Sequence, residues 1–565
     1  MLKLFIINFY TVVFIFSAGI FFQRDILKKQ NINNFYMYGI YGCIILSFLG
    51  LIINFFTPLN QNINTGIIVF FTLYFFKHLI DNVHLRQYLK KIIFVTVISI
   101  IIITLENSNR PDAGLYHLPY IQIINEEKII IGLANIHFRF ATNSIIQYLG
   151  AINFNYMFGK IGITTPLAAI VSIFLLYFVE EFLKEKKKQH SSYKLLFIFF
   201  TLIFILYSFN RYSGYGNDAT ASISFLTLIY IFLFKLNFKK VDNNILIKIY
   251  LISVFLFAQK LFYVLPLLIV FLIFLFDRHK IKYFTSFSLH LPTFFLLVLL
   301  IKNLLISGCF LYPLKFTCLN VDWLDEKIVL DEAISGQAWT KDWSNFKNKN
   351  SISKEEYIKK FNWLSTWMTN HAEIIIKKLT PLIIFFMIFH TYNKSEKKNY
   401  ERLPDKTFII SLLICLIGTL LWFLKFPIYR YGSGYIFSSV LLLYILISKK
   451  YHYDKKRLNK FMISVLIIGF SIAALKNLNR IYKNYNRDYV DYPFPAIYSF
   501  NEKNVPEKLG TGITEYFYKE KFLFYVSTSG VCMYNLAPCT YYINKKVRKK
   551  NKFGYKVYYI QHTYE

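Results

Sequence analysis

The chain has 565 residues, of which 55% are hydrophobic and 19% aromatic, and its mean hydropathy is +0.39. That leaves too few polar side chains to cover a soluble globule of this length, so the composition excludes a soluble enzyme and assigns the chain to a bilayer. The formal net charge of +33 suggests nucleic acid as a partner, and the positions of the charges decide against it.

Apolar runs of span length recur from end to end. The first, "LFIINFYTVVFIFSAGIFF", has only Lys3 before it and reads as a retained helix, not a cleaved signal. Later examples are "TFIISLLICLIGTLLWFL" and "FMISVLIIGFSIAAL", each close to the roughly 20 residues that cross a hydrocarbon core. The expected fold is an all-α polytopic transmembrane helical bundle of about 12–14 spans.

The basic residues gather in short loops: "QRDILKKQ", "HLRQYLKK", "KEKKKQHSSYK", "KLNFKKVDNNILIK", "DRHKIK", "NKSEKKNYERLPDK" and "KKYHYDKKRLNK". They alternate with loops nearly free of Lys and Arg, such as "TPLNQNIN" and "RYSGYGND". This is a positive-inside pattern, which assigns the basic loops to the cytoplasm. The over-use of Ile, Lys, Asn, Phe and Tyr, typical of AT-rich coding, adds to the charge. On this threading a transmembrane domain covers 1–476, with an outer loop at 106–158 and an outer insert at 307–372. A C-terminal domain, 477–565, lies on the same extracytoplasmic side.

The outer loop opens with "NSNRPDAGLYHLPYIQIINEEKIIIGLANIHFRFATN". "NRPD" reads as a helix start, with Asn109 as N-cap and Pro111 in the first turn. Asp112 and Tyr116 then share one face, His117 lies beside it, and Pro119 keeps the helix short. Asp112, just past the outer end of a span, is a candidate catalytic acid or base, and His117 a candidate to share the proton work. The macrodipole alone also favours an acid in a first helical turn, and a lone histidine is commonly structural.

In "GLANIHFRFATN", Asn135, His137 and Arg139 recur at two-residue intervals, so an extended segment would put them on one face and Ile136, Phe138 and Phe140 on the other. Such a ribbon would offer His137 and Arg139 to an anionic headgroup, although an interfacial arginine that merely reaches lipid phosphates has the same signature. Farther on, Asp218 starts a span, Lys260 interrupts the apolar "FAQKLF", and Arg430 sits in the outer turn "FPIYRYGSGY". A lysine at membrane depth costs roughly 2.5–3.5 kcal/mol on insertion scales. Lys260 therefore requires either a phosphate or an ion-pair partner, for which Asp218 is the candidate.

Cys43 and Cys415 fall within apolar spans. Cys309 with Cys318 and Cys532 with Cys539 form two close pairs in regions assigned outside, where disulfides persist, and neither pair has zinc-knuckle spacing. Between them, Trp323, Trp339, Trp343, Trp363 and Trp367 suggest a carbohydrate platform or an interfacial belt. The tail alternates in "EKFLFYVSTSG" and "GYKVYYIQ", which indicates a small α+β cap.

Together "DAGLYHLP", "GLANIHFRFATNS", "KNLLISGCFLYP", "YRYGSG" and "VCMYNLAPCT" are similar to a family of large bacterial membrane proteins, mostly without an assigned activity. More broadly, an outer acid soon after an early span resembles the GT-C class of polytopic glycosyltransferases, which use lipid-linked sugar donors. The resemblance implies a bacterial inner membrane location and an extracytoplasmic active face. Its implied partners are a polyprenyl-phosphate-linked sugar, a glycan or lipid acceptor and the bilayer. Asp112 matches the acid that serves in that class as base, or helps bind a metal or the acceptor. Many members pair two acids in this loop, whereas Asp112 stands alone, which leaves a divalent metal cofactor and the acceptor type open.

The candidate catalytic residues are thus Asp112 and His117, and the candidate substrate-binding residues are Tyr116, Asn135, His137, Arg139, Asp218, Lys260 and Arg430. Two other classes remain: an O-antigen-type polysaccharide polymerase or ligase, which would lean on arginines and a histidine, and a transporter or flippase, which would show repeats and mid-membrane polar residues.

Overall fold

A computed structural model describes residues 2–28, 34–81, 83–104, 112–187, 193–208, 215–238, 241–276, 287–395, 405–448, 452–453, 455–484, 513–528 and 530–561. Among these residues 8 helices are long and apolar enough to cross a membrane: Leu2–Ile26, Tyr36–Phe56, Gly159–Lys186, Asp218–Lys235, Leu289–Ser307, Lys406–Lys425, Tyr429–Ser448 and Arg457–Asn479. The chain is a multi-pass helical membrane protein. Tyr193–Tyr207, Asn243–Gln259 and Leu261–Phe276 are shorter apolar helices, and Gln61–Asp81, Val83–Thr104 and Glu373–Asn393 are long but more polar. The expected 12–14 spans are reached only when such helices are added to the 8.

Small residues set the closest helix contacts, as they do where packing rather than hydrophobicity joins helices in lipid. A Cβ on Gly19 would overlap the carbonyl of Tyr38, and one on Gly42 would overlap that of Ile15, so Leu2–Phe21 and Tyr36–Phe56 cross backbone to backbone.

The helix Asp218–Lys235 carries an ionic group at each end. At the Lys235 end, buried Glu181 accepts from Lys235 Nζ at 2.8 Å, from Asn34 Nδ2 at 3.1 Å and from the Tyr230 hydroxyl. At the other end Asp218 joins a separate polar cluster. Eighteen residues at a rise of about 1.5 Å separate the two by roughly 27 Å, close to a hydrocarbon thickness.

The insert 307–372 is closed at its base by the Cys309–Cys318 disulfide. Its main helix, Glu326–Thr340, is N-capped by Asp325, which accepts from Lys327 N at 2.9 Å and Ile328 N at 3.1 Å. Trp363 and Trp367 are buried and pack with Tyr357, Trp422 and Ile436. Trp367 Nε1 donates to Pro427 O at 2.7 Å, and Trp422 Nε1 to Ile428 O at 2.8 Å. Trp363, Trp367 and Trp422 therefore form a core that fixes the turn before Arg430, while Trp323 and Trp343 are half-buried and Trp339 is 48% exposed.

The C-terminal cap contains a three-stranded sheet, in which Ile513–Tyr518 pairs antiparallel with Lys521–Ser527 and the latter pairs parallel with Cys539–Thr540. A hairpin of Val547–Lys552 and Tyr555–Ile560 follows, and Cys532 and Cys539 are disulfide-bonded. The helix Lys455–Asn484 continues past residue 477, and residues 513–528 and 530–561 of the cap are strand and turn.

Candidate functional site

The proposed helix start at Asn109 and Pro111 lies outside the described residues. Asp112 itself precedes a π turn, Ala113–His117, and makes no capping bond with its side chain. Pro119 does not end the helix as expected. It falls in the first turn of Leu118–Glu126, where no backbone N–H bond is lost. The cap holds this turn in place, because Cys532 N and Met533 N both donate to Gly114 O at 3.0 Å, and Met533 Sδ fills the space a Cβ at Gly114 would need.

Four of the expected residues meet in one chain of charges. Arg430 Nη2 lies 3.7 Å from Asp112 Oδ2, and Arg430 Nε 3.6 Å from Asp218 Oδ2. Lys260 Nζ pairs with Asp218 Oδ1 and lies 3.7 Å from the centre of the Tyr431 ring. Lys260 gets there because Asn243–Gln259 ends at Gln259 and Lys260 takes an extended backbone, φ −157° and ψ 118°. Arg139 joins from the other side, its guanidinium 5.0 Å from the Tyr116 ring centre. The group therefore holds two carboxylates against three cations, an excess of one positive charge that suits an anion.

The ionisable side groups are held in defined states. Burial, reinforced by the Asp112 charge, raises the Tyr116 phenol well above its ordinary value, so it stays a hydrogen-bond donor. Burial also lowers His117 to about 3, with Asp218 opposing and Arg139 and Arg430 assisting. His117 Nδ1 meets the Gln147 amide, and its Nε2 points toward Gly216. His137 falls to about 4 through burial and then Arg139. Both histidines are therefore neutral at neutral pH, and weak bases. Burial lowers Lys260 as well, against the pull of Asp218.

The ribbon of Asn135, His137 and Arg139 does not form. Leu133–Asn135 and Phe138–Thr142 are short 3-10 turns, with His137 Nδ1 accepting from Arg139 N at 3.1 Å as the N-cap of the second. The turns send the three side chains apart. Asn135 Nδ2 donates to Trp323 O at 2.9 Å and Tyr558 O at 3.0 Å, so Asn135 ties insert and cap together outside the charged cluster. His137 packs against Phe138 and, from the cap, Tyr541, and Arg139 alone reaches Tyr116.

Three residues went unrecognised in the sequence. Tyr431 stacks on Lys260, and its position within "YRYGSG" was a usable signal. Gln147 meets His117 from the short helix Ile146–Ile152, a part of the outer loop whose sequence carries no motif. Glu332, in the insert helix, is held at about 7 by burial against the opposing charges of Arg139 and Lys354. Among the described residues no group of three or more His, Cys, Asp and Glu is placed to hold a metal ion, and Asp112 and Asp218 face Arg430.

Fold and site define a multi-pass membrane protein with a cationic cluster where several spans end. Residues 1–437 match the family described as Domain of unknown function (DUF8201), and the chain belongs to that family. No curated protein and no solved structure matches the chain.

Proposed function

We propose that this protein is a GT-C-like membrane glycosyltransferase of the bacterial inner membrane. It moves a sugar from a polyprenyl-phosphate donor to a cell-envelope glycan or lipid acceptor on the extracytoplasmic face. The observation that carries this reading is the Asp112–Arg430–Asp218–Lys260 chain, since one acid at the rim of an anion-binding group supplies both halves of a displacement. Asp112 takes the proton of an acceptor hydroxyl as its oxygen bonds to the anomeric carbon. The bond from that carbon to the phosphate oxygen breaks, and the electron pair leaves on the phosphate. Arg430, Lys260 and Arg139 stabilise the phosphate as it departs. A single displacement inverts the anomeric configuration.

The extracytoplasmic assignment draws on the two disulfides, which persist in oxidising compartments, and on the loop charges. A second reading, a polymerase or ligase acting on polyprenyl diphosphate, is favoured by one feature: the cluster has more cations than acids. Analysis of surface glycans and lipid-linked sugars by mass spectrometry in a deletion strain tests the proposal. A sugar that vanishes on deletion, returns with wild type and stays absent with Asp112→Asn supports the glycosyltransferase. Full restoration by Asp112→Asn rejects Asp112 as base and favours the polymerase reading.

A further inference from the structure

The helix Phe287–Ser307 holds a further cation, which the reaction above does not use. Lys302 opens the stretch "KNLLISGCFLYP", lies within the candidate span Leu289–Ser307 and is 2% exposed. Its helix has two distinct faces. Phe294, Leu297 and Ile301 are 47%, 52% and 46% exposed, as lipid-facing side chains are. Phe295, Leu299, Lys302 and Ile306 follow helical spacing along the opposite, buried face.

That buried stripe is apolar except at Lys302. At one end Phe295 stacks on Phe48 at 4.4 Å between centroids. At the other, one turn past Lys302, Ile306 lines a narrow cleft with Asn54, Tyr120, Lys128 and Tyr148. Between them the Lys302 ammonium makes no hydrogen bond, ion pair or ring contact with any described residue. Other lysines within the fold are provided for: partly buried Lys260 has Asp218, and buried Lys341 lies 4.8 Å from the Trp363 ring centre. A charged group at membrane depth is costly without a counter-charge, and such residues in membrane helices mark ligand or ion sites. A compact ammonium with three donors suits a phosphate oxygen.

We propose that Lys302 binds the phosphate of an anionic lipid whose headgroup enters beside Phe287–Ser307 at the level of the Lys302–Ile306 turn. The ligand supplies the counter-charge that the fold withholds. The site does not depend on the reaction assigned to the Asp112 cluster. A lipid is favoured over a free anion because the site lies within a span, on a helix whose other face meets the acyl chains.

The test uses the full chain in nanodiscs of phosphatidylcholine alone, with added phosphatidylglycerol, with added polyprenyl phosphate, or with inorganic phosphate in the buffer. Melting is compared for wild type, Lys302→Met and Lys302→Arg. In phosphatidylcholine alone, Lys302→Met melts no lower than wild type, since it removes an unpaired charge and keeps the bulk of the side chain. At least one anionic lipid raises wild type and Lys302→Arg by about 5 °C and leaves Lys302→Met nearly unmoved, and the lipid that does so identifies the source. An equal rise in wild type and Lys302→Met, a response to inorganic phosphate alone, or no response in any arm overturns the proposal. If Lys302→Met does not fold, native mass spectrometry of wild type decides. Retention of phosphatidylglycerol or polyprenyl phosphate about tenfold over phosphatidylcholine supports the site, and equal retention rejects it.

Discussion

Arg430 and Asp112 form an open ion pair: the 3.7 Å between Nη2 and Oδ2 is too long for a direct hydrogen bond, and both side chains remain partly exposed, 48% and 33%. An arrangement this loose adds little to folding, of the order of 0–1 kcal/mol for surface pairs. Asp112→Asn should therefore leave melting almost unchanged while transfer falls by about 100-fold or more, the usual range for loss of a general base. Assay of transfer in membranes alongside a thermal melt separates the two. A similar loss in both would make Asp112 structural.

Arg430 touches both acids, so its replacement should do more than that of Asp112. Arg430→Gln leaves Asp112 and Asp218 facing each other with Lys260 alone. Donor binding should weaken by more than tenfold. Arg430→Lys should recover only part of it, because an ammonium cannot reach both carboxylates with a fixed fork. Donor saturation curves for the two variants would check this.

The pH dependence should carry two opposite slopes. His117 falls from an ordinary 6.5 to about 3 in the fold, so the unfolded chain binds more protons between those values. Its stabilising contribution is present above 6.5 and is lost as pH falls toward 3. Glu332 rises from 4.5 to about 7, so the folded chain holds the extra proton, and stability declines as pH climbs from 4.5 to 7. Glu332→Gln should remove the decline on the neutral side and leave the acid side unchanged. Melts between pH 4 and pH 8 would show an unaltered neutral slope if Glu332 were an ordinary carboxylate.

Asn135→Ala removes the two amide donors that join the insert to the cap. A loss of about 1–3 kcal/mol is expected, the cost of leaving buried carbonyls unpaired. Limited proteolysis should then release the cap before the spans unfold. Simultaneous loss of both would show that the cap has no independent attachment.

The sequence displayed the class of fold well, because membrane spans are written as long apolar runs and require no tertiary knowledge. It also exposed the charged residues of the site. Asp218, Lys260 and Arg430 stand out simply by being ionisable beside apolar helices. Their mutual pairing was legible only for Lys260 with Asp218. Arg430 lies in a distant part of the chain, and its placement depends on the Trp367 and Trp422 contacts with the turn before it. The two-residue spacing of Asn135, His137 and Arg139 misled, because a period of two identifies a face only if the backbone is extended, and here successive 3-10 turns rotate each side chain elsewhere. Gln147 left no trace, since an amide within a short helix looks the same whether it orients a histidine or faces a neighbouring carbonyl.

With salt-bridged charge at both extremities, the helix Asp218–Lys235 acts as a tie rod. It cannot slide along its axis without breaking Lys235 from Glu181 or Asp218 from Lys260. A thinner or thicker bilayer must therefore be met by tilt of the whole bundle or by deformation of the lipid, not by movement of this one element. Inserting a single residue in its middle would turn one end by about 100° relative to the other, uncoupling the two clusters while leaving every charged residue in place.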